Sequence, residues 1–511
     1  MNKEKTREWL RDKYNLGFLL VLLGSIIVRI YYFILTKTQP CWWDECEYLS
    51  TGLHWATGIP YYVNSQRPPL LPFLEFLIFK LGLGEITIRL ILILFSVGVV
   101  TLVYLIGKEM YDKKVGLIAS VIMAVFWEAL FNTTRLHVEI PLLFLTYISL
   151  LFFWRGYVKE PFFEKETLAK ENKKKKYVWL FGVFLALAFL TKYTIFLFGL
   201  TLLIFLLVTE RFKFLKEKNL WIALLLFFII LIPYFIWAYS SFNTLFPFLK
   251  AGGKGDVGRS LLESSKEIFG YIPSFLGWAF FIVFLIGLIS LLIKLILGFD
   301  LFIKRENREI DSDFFNLIFI IIFTFYFAFV MRGGEDRWVL PIALPLLLIT
   351  GKGFSIIYDF MKKYNRYIAI GLVVILLAIG SYQEIKQADF IIKNKVSSYL
   401  QVKEAALWMK ENSNPSDKIF SVSLPQTFYY SERETWSYTE DKEHNFIGNA
   451  SLFEKFLFEE KPKYLTVSIF EYLPPWIVPY IDEHKDMFKP VQGYVTQDQK
   501  PLLVVYAVKY E

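Results

Sequence analysis

Residues 41–72 read CWWDECEYLSTGLHWATGIPYYVNSQRPPLLP, and the rest of the chain takes its meaning from them. The stretch gathers Asp44, Glu45 and Glu47, interleaves them with Trp42, Trp43, Tyr48, Trp55, Tyr61 and Tyr62, and closes on Arg67-Pro68-Pro69. Segments apolar enough to cross a bilayer lie on either side. Carboxylates at a membrane edge are costly unless paired or wet. Acidic, aromatic, proline-stiffened sequence in that position suits a grip on a lipid-linked or sugar-like ligand.

Composition sets the class. In 511 residues, 55% are hydrophobic and 19% aromatic, with a mean hydropathy of +0.43. That is more apolar surface than a soluble domain of this length can bury, so the chain reads as a polytopic α-helical membrane protein. The net charge of +8 falls in clusters between apolar runs, which marks cytoplasmic loops and excludes a nucleic-acid partner. The two cysteines, Cys41 and Cys46, exclude a disulfide scaffold and a multi-cysteine metal centre. They are read as free thiols, with a bridge across Trp42–Glu45 as the alternative in an oxidising compartment.

A basic N-terminus (Lys3, Lys5, Arg7, Arg11, Lys13) precedes an apolar run from Leu16 to Leu35. Its length, roughly 20 residues, matches a bilayer's hydrocarbon core. It has no small-residue cleavage site and reads as a retained span. Further spans are expected near 85–106, 115–131, 137–154, 177–191, 193–208, 219–239, 273–298, 314–331, 338–350 and 367–383, about 11 in all. The apolar piece at 68–82 is too short and reads as a re-entrant or interfacial helix. With the N-terminus inside, Lys108/Lys113/Lys114, Lys173–Lys176, Arg211/Lys213/Lys216/Lys218, Lys304/Arg305/Arg308 and Lys352/Lys362/Lys363/Arg366 all fall on the cytoplasmic side. Loops 36–66, 132–136, 240–272 and 332–337 fall outside. An odd number of spans sends the C-terminal tail outside too.

After residue 383 the composition changes. Residues 399–412 have the periodicity of an amphipathic helix, and strand-like runs follow at 418–424, 464–470 and 502–510. The expected division is a transmembrane domain, 1–383, whose first external loop (36–84) is catalytic, and a soluble extracytoplasmic α/β domain, 384–511.

Four places could carry chemistry. Asp44-Glu45 could supply a general base for an acceptor hydroxyl or amine; the alternative is a solvated pair marking the end of a span. Glu139 heads an apolar helix in Arg135-Leu-His137-Val-Glu139, and its alternative is an anchoring pair with Arg135. Lys192, in a short turn between spans, is either a snorkelling anchor or a ligand for an anion. Arg332 and Arg337 stand outside against the positive-inside trend, where an anionic lipid phosphate would need them.

A first external loop with Asp-Glu, an Arg-Pro-Pro after it, an acidic residue heading a later span, Thr-Lys between spans and Arg337-Trp-Val-Leu-Pro341 resemble the GT-C membrane glycosyltransferases. The branch is that of the protein O-mannosyltransferases and aminoarabinose transferases. Tyr429-Tyr430-Ser431-Glu432-Arg433 is similar to a recurrent segment of their C-terminal domain. The resemblance implies catalytic roles for Asp44, Glu45 and Glu139, and donor-phosphate contacts for Arg67, Lys192 and Arg337. Trp43, Tyr48, Tyr62 and His137 become candidates for the acceptor or sugar. It further implies a polyprenyl-phosphate sugar as donor, inversion at the anomeric carbon, a lipid, protein or glycan acceptor, and no cofactor or catalytic metal. A transporter or flippase of a lipid-linked or sugar substrate is the alternative class, disfavoured by charges that cluster at one face and by the external domain. An enzyme transferring a whole oligosaccharide would need a Trp-Trp-Asp-type triplet in the C-terminal region, which has none.

Overall fold

The computed structural model describes residues 9, 11–158, 168–247, 249, 259–298, 300, 308–439, 449–496 and 498–510. Lys3, Lys5, Arg7, Lys304 and Arg305, which contribute to the charge-bias reading, lie outside them. The chain forms two compact units, each from discontinuous sequence: Met1–Ile34, Arg89–Thr134 and Val138–Lys393 in one, Leu35–Ile88, Arg135–His137 and Asn394–Glu511 in the other. The loop after the first helix therefore clusters with the C-terminal residues.

Among the described residues, the helices of eight or more residues up to residue 395 are α1 (Lys13–Thr36), α2 (Trp43–Thr57), α3 (Leu70–Lys80), α4 (Glu85–Met110), α5 (Lys113–Val125), α6 (Trp127–Thr134), α7 (Glu139–Phe153), α8 (Leu168–Thr191), α9 (Phe196–Glu210), α10 (Lys218–Phe242), α11 (Leu261–Leu297), α12 (Arg308–Phe325), α13 (Ala343–Lys362) and α14 (Arg366–Lys395). Among the described residues nine helices are long and apolar enough to span a bilayer. A tenth is added if α5 and α6, bent by 48° at Phe126, count as one. The count falls below the expected 11 at α8, whose first half carries Lys173–Lys176 and leaves only Tyr177–Thr191 apolar. That remainder is shorter than the roughly 20 residues a span needs. The protein is a multi-pass membrane protein.

Helices in lipid gain little from the hydrophobic effect against one another, so small residues and buried polar contacts hold them together. A Cβ on Gly287 of α11 would lie 2.1 Å from Ile349 O, and one on Gly353 2.1 Å from Val283 O. The α11–α13 crossing thus requires glycine on both sides. Arg29 is buried and donates to Ser96 Oγ at 2.7 Å and to Ala124 O at 3.0 Å, tying α1 to α4 and α5.

The second unit is built on a five-stranded sheet with order β2-β1-β3-β5-β4, from β1 (Ile419–Ser421), β2 (Thr435–Trp436), β3 (Tyr464–Ser468), β4 (Phe488–Val495) and β5 (Pro501–Val508). β1 runs parallel to β2 and β3, while β5 is antiparallel to β3 and β4. Helices α15 (Leu400–Glu411), α16 (Leu424–Ser431), α17 (Ala450–Glu460) and α18 (Ile477–Glu483) complete it. Phe420, Tyr438, Phe453, Leu465, Ile477 and Phe488 form the core. Loop and sheet domain share a second apolar cluster, in which Leu53, Tyr61 and Tyr62 pack on Leu424 and Phe428 of α16. Polar ties accompany it. The Cys41 amide donates to Tyr430 Oη at 2.9 Å, and Ser50 Oγ to Pro425 O at 3.0 Å. Arg433 donates to the carbonyls of Lys410, Ser413, Ser431 and Glu432, closing the C-terminal ends of α15 and α16. The Tyr-Tyr-Ser-x-Arg segment is thus the joint on which the first loop is mounted. Contrary to the free-thiol reading, Cys41 and Cys46 are bridged, with Cα atoms 5.4 Å apart. The helix start at Trp43 brings both thiols within one turn of each other.

Candidate active site

The first turn of α2 organises the acidic stretch. Trp42 is the N-cap, and its amide donates to Glu45 Oε2 at 3.1 Å in a capping box. Asp44 and Glu45 lie in the first turn, where the helix dipole favours negative charge. Because 3.6 residues make a turn, Asp44 and Glu47 share one face while Glu45 looks elsewhere.

Arg67 joins the residues of that shared face. Its Nη2 donates to Asp44 Oδ1 at 2.5 Å and its Nε to Glu47 Oε2 at 2.5 Å, while its guanidinium carbon sits 5.5 Å from the Tyr48 ring centre. Glu47 is buried and receives three more donors: Trp43 Nε1 at 3.1 Å, Tyr62 Oη at 2.7 Å and Asn64 Nδ2 at 3.1 Å. The Asp44 side chain keeps 24% of its surface exposed, against 3% for Glu47. Asn64 is placed by the turn before Arg67, whose amide donates to Asn64 O at 3.1 Å.

Glu45 has a different fate. Fully buried, it accepts from Arg135 Nε and lies 3.1 Å from His137 Nε2. Arg135 stacks its guanidinium 3.9 Å from the Trp42 ring centre. Trp43, Tyr48, Tyr62 and His137, expected at the sugar or acceptor, are thus engaged with Glu47, Arg67 and Glu45. Glu47 and Arg135 are the residues that sequence reasoning left out of the site. The signal for Glu47 was its place one turn after Asp44. Arg135 lies 90 positions from Glu45, with no local signal.

Glu139, Lys192 and Arg337 belong to the helical unit. Glu139 is buried in the first turn of α7 and accepts from Lys192 Nζ at 2.9 Å. Lys192 takes an extended backbone immediately after α8, the break that turns its side chain out of the helical register. Arg337 Nε donates to Glu335 Oε2 at 2.5 Å in a short turn before α13. Glu128 of α6 is buried, accepts from Asn132 Nδ2 at 2.8 Å, and lies within electrostatic reach of Glu139, Asp336 and Arg337. The structure thus brings the six charged candidates into ion pairs: Asp44 with Arg67, Glu45 with Arg135, Glu139 with Lys192, Arg337 with Glu335.

The helical topology with a small C-terminal sheet is that of the GT-C fold, as the sequence resemblance implies. Residues 66–237 match the dolichyl-phosphate-mannose-protein mannosyltransferase family. ArnT from Cupriavidus metallidurans in the apo state superposes with a TM-score of 0.71 at 13% identity, over 96% of this chain and 98% of that one. The same protein bound to undecaprenyl phosphate gives 0.70 at 13% identity, over 95% and 97%. The Archaeoglobus fulgidus oligosaccharyltransferase in the apo form gives 0.65 at 14% identity, over 98% of this chain and 75% of that one. No curated protein matches the chain significantly by sequence.

Proposed function

We propose that the chain is an integral-membrane glycosyltransferase moving a single sugar from a polyprenyl-phosphate donor to a lipid, protein or glycan acceptor on the extracytoplasmic face. The observation that carries this reading is the contrast among three neighbouring carboxylates. Glu45 and Glu47 are buried and engaged, whereas Asp44 is held by Arg67 and still open to an incoming group. That is the state a general base requires: oriented, yet accessible.

In this mechanism an acceptor hydroxyl or amine attacks the anomeric carbon and passes its proton to Asp44. The bond from that carbon to the phosphate oxygen breaks, and its electron pair leaves with the polyprenyl phosphate. A single in-line displacement inverts the anomeric centre. Arg67 in the loop unit and, separately, Lys192 and Arg337 in the helical unit are each candidates to offset charge growing on a phosphate. Lys192 and Arg337 each rest against a carboxylate that a phosphate oxygen can displace; for Lys192 that partner is Glu139, here a positioning residue, and for Arg337 it is Glu335. Undecaprenyl phosphate in ArnT and a dolichol-phosphate in the archaeal enzyme support a polyprenyl-linked donor.

The test is transfer from a polyprenyl-phosphate sugar by detergent-purified protein, with the product weighed by mass spectrometry. One sugar per acceptor is expected, and Asp44→Asn should slow it about 100- to 10,000-fold while the protein stays monodisperse. Transfer of a whole glycan, or lipid movement across vesicles without transfer, would overturn the reading. Near wild-type turnover in Asp44→Asn would remove Asp44 as the base.

A further inference from the structure

A cavity of about 350 Å³ opens between α8, α9 and α10, in the helical unit. Its walls are apolar throughout: Leu185 of α8, Leu203 of α9, Trp221 and Leu224 of α10, with Phe214 and Leu215 from the turn joining α9 to α10. Two glycines shape it. At Gly182 a Cβ would meet Ala223 O at 2.2 Å, so α8 and α10 touch there and close the floor. At Gly199 a Cβ would meet nothing within 4 Å, so the missing side chain is what leaves the space.

The mouth carries charge. Arg211, Lys213, Lys216 and Lys218 are exposed, and none makes an ion pair with any described residue. The two acids of the same turn are engaged: Glu210 accepts from Tyr157 Oη at 3.1 Å, and Glu217 caps α10 by accepting from the Asn219 amide at 3.1 Å. Arg211 has φ 54°, a strained value for a residue with a side chain. Phe212 is 71% exposed beside it. Unpaired cations over an apolar slot, with an aromatic at the rim, complement a molecule with an anionic head and a hydrocarbon tail.

Position selects among such molecules. Lys192 precedes α9, and the cationic turn follows it. Fifteen residues separate the two ends, about 22 Å at 1.5 Å per residue. A headgroup held at the turn is therefore on the opposite membrane face from Lys192. We propose that this groove is a binding site for one anionic phospholipid of the leaflet opposite the candidate donor site, with an acyl chain in the slot and the phosphate over Lys213 and Lys216. It does not depend on the transfer reaction, and it would hold for a transporter equally.

The test is native mass spectrometry of the full-length protein titrated with phosphatidylglycerol or with phosphatidylcholine of the same acyl chains. One phosphatidylglycerol should be retained at least roughly tenfold more tightly, and Lys213→Gln/Lys216→Gln should abolish the preference, given the contribution of each basic residue at an anionic surface. Gly199→Phe should fill the slot and lose the bound lipid; the open space at that position predicts an unchanged melting temperature in lipid-free detergent. Equal retention of both lipids by the wild type, or undiminished phosphatidylglycerol in both variants, would overturn the proposal. So would displacement of phosphatidylglycerol by an equimolar polyprenyl phosphate, which would make the groove a donor-lipid site instead.

Discussion

Asp44 and Glu45 are adjacent in sequence, and the helix start at Trp43 sends them into opposite environments. Glu45 has left water and depends on Arg135 for compensation. Removing one member of a buried pair strands the other, at a typical cost of about 3–5 kcal/mol. Arg135→Met should therefore lower thermal stability sharply in detergent, and Glu45→Gln/Arg135→Met should regain most of it. If both proteins melt alike, the pair is not what holds the turn. A second carboxyl behaves differently. Glu471, in the loop after β3, is pushed by burial from the ordinary 4.5 to about 7, and its buried Oε1 has no hydrogen-bond partner among the described residues. Between those two values the native state binds more protons than the unfolded chain, so this residue's contribution to stability falls as pH rises through that window and stays low above it. Glu471→Gln removes the penalty. Its melting temperature should match the wild type near about pH 4.5 and exceed it near about pH 8. A constant difference across pH would contradict the shift.

At the scale of elements, α2 is held at its start by the Cys41–Cys46 bridge and along its length by α16. A loop this short gains about 2 kcal/mol from closure. Cys41→Ser/Cys46→Ser should cost that much stability, and alkylation should label the wild-type cysteines only after reduction. Labelling without reductant would restore the free-thiol reading. Packing between spans offers a sharper contrast: Gly353→Val pushes a side chain into the Val283 carbonyl and should abolish folded protein, as judged by size-exclusion chromatography. Elements that announce themselves locally were legible. Asp44 and Arg67 stood out because Asp-Glu and Arg-Pro-Pro are improbable beside apolar runs, and α15, β1, β3 and β5 had clear periodicity. β2 was missed because two residues, Thr435 and Trp436, carry no period. β4 was missed because Pro490 and Gly493 interrupt it and its register shifts beside Pro490 and Tyr494. The Glu45–Arg135 and Glu139–Lys192 pairs lie 90 and 53 positions apart, and no local pattern encodes such meetings.

For the whole molecule, the charge bias gives an expected orientation. A reporter fused after Glu511 should be active only outside the cytoplasm, and one inserted at 170–176 only inside. Cytoplasmic activity at Glu511 would reverse the orientation and remove the extracytoplasmic site with it. The tie from the Cys41 amide to Tyr430 then acquires a meaning in time. These partners are 389 positions apart, so at about 5–20 residues per second roughly 20–80 s of synthesis separates them. If the reporters read as expected, the loop bearing Asp44 is already across the membrane during that interval, while α16, the surface that seats it, has not yet left the ribosome. In that orientation its two thiols meet oxidant before its aromatic face meets Phe428. In that orientation the loop bearing Asp44 is among the first pieces exported and among the last to be set, and a nascent chain cut anywhere before Tyr430 displays it unseated.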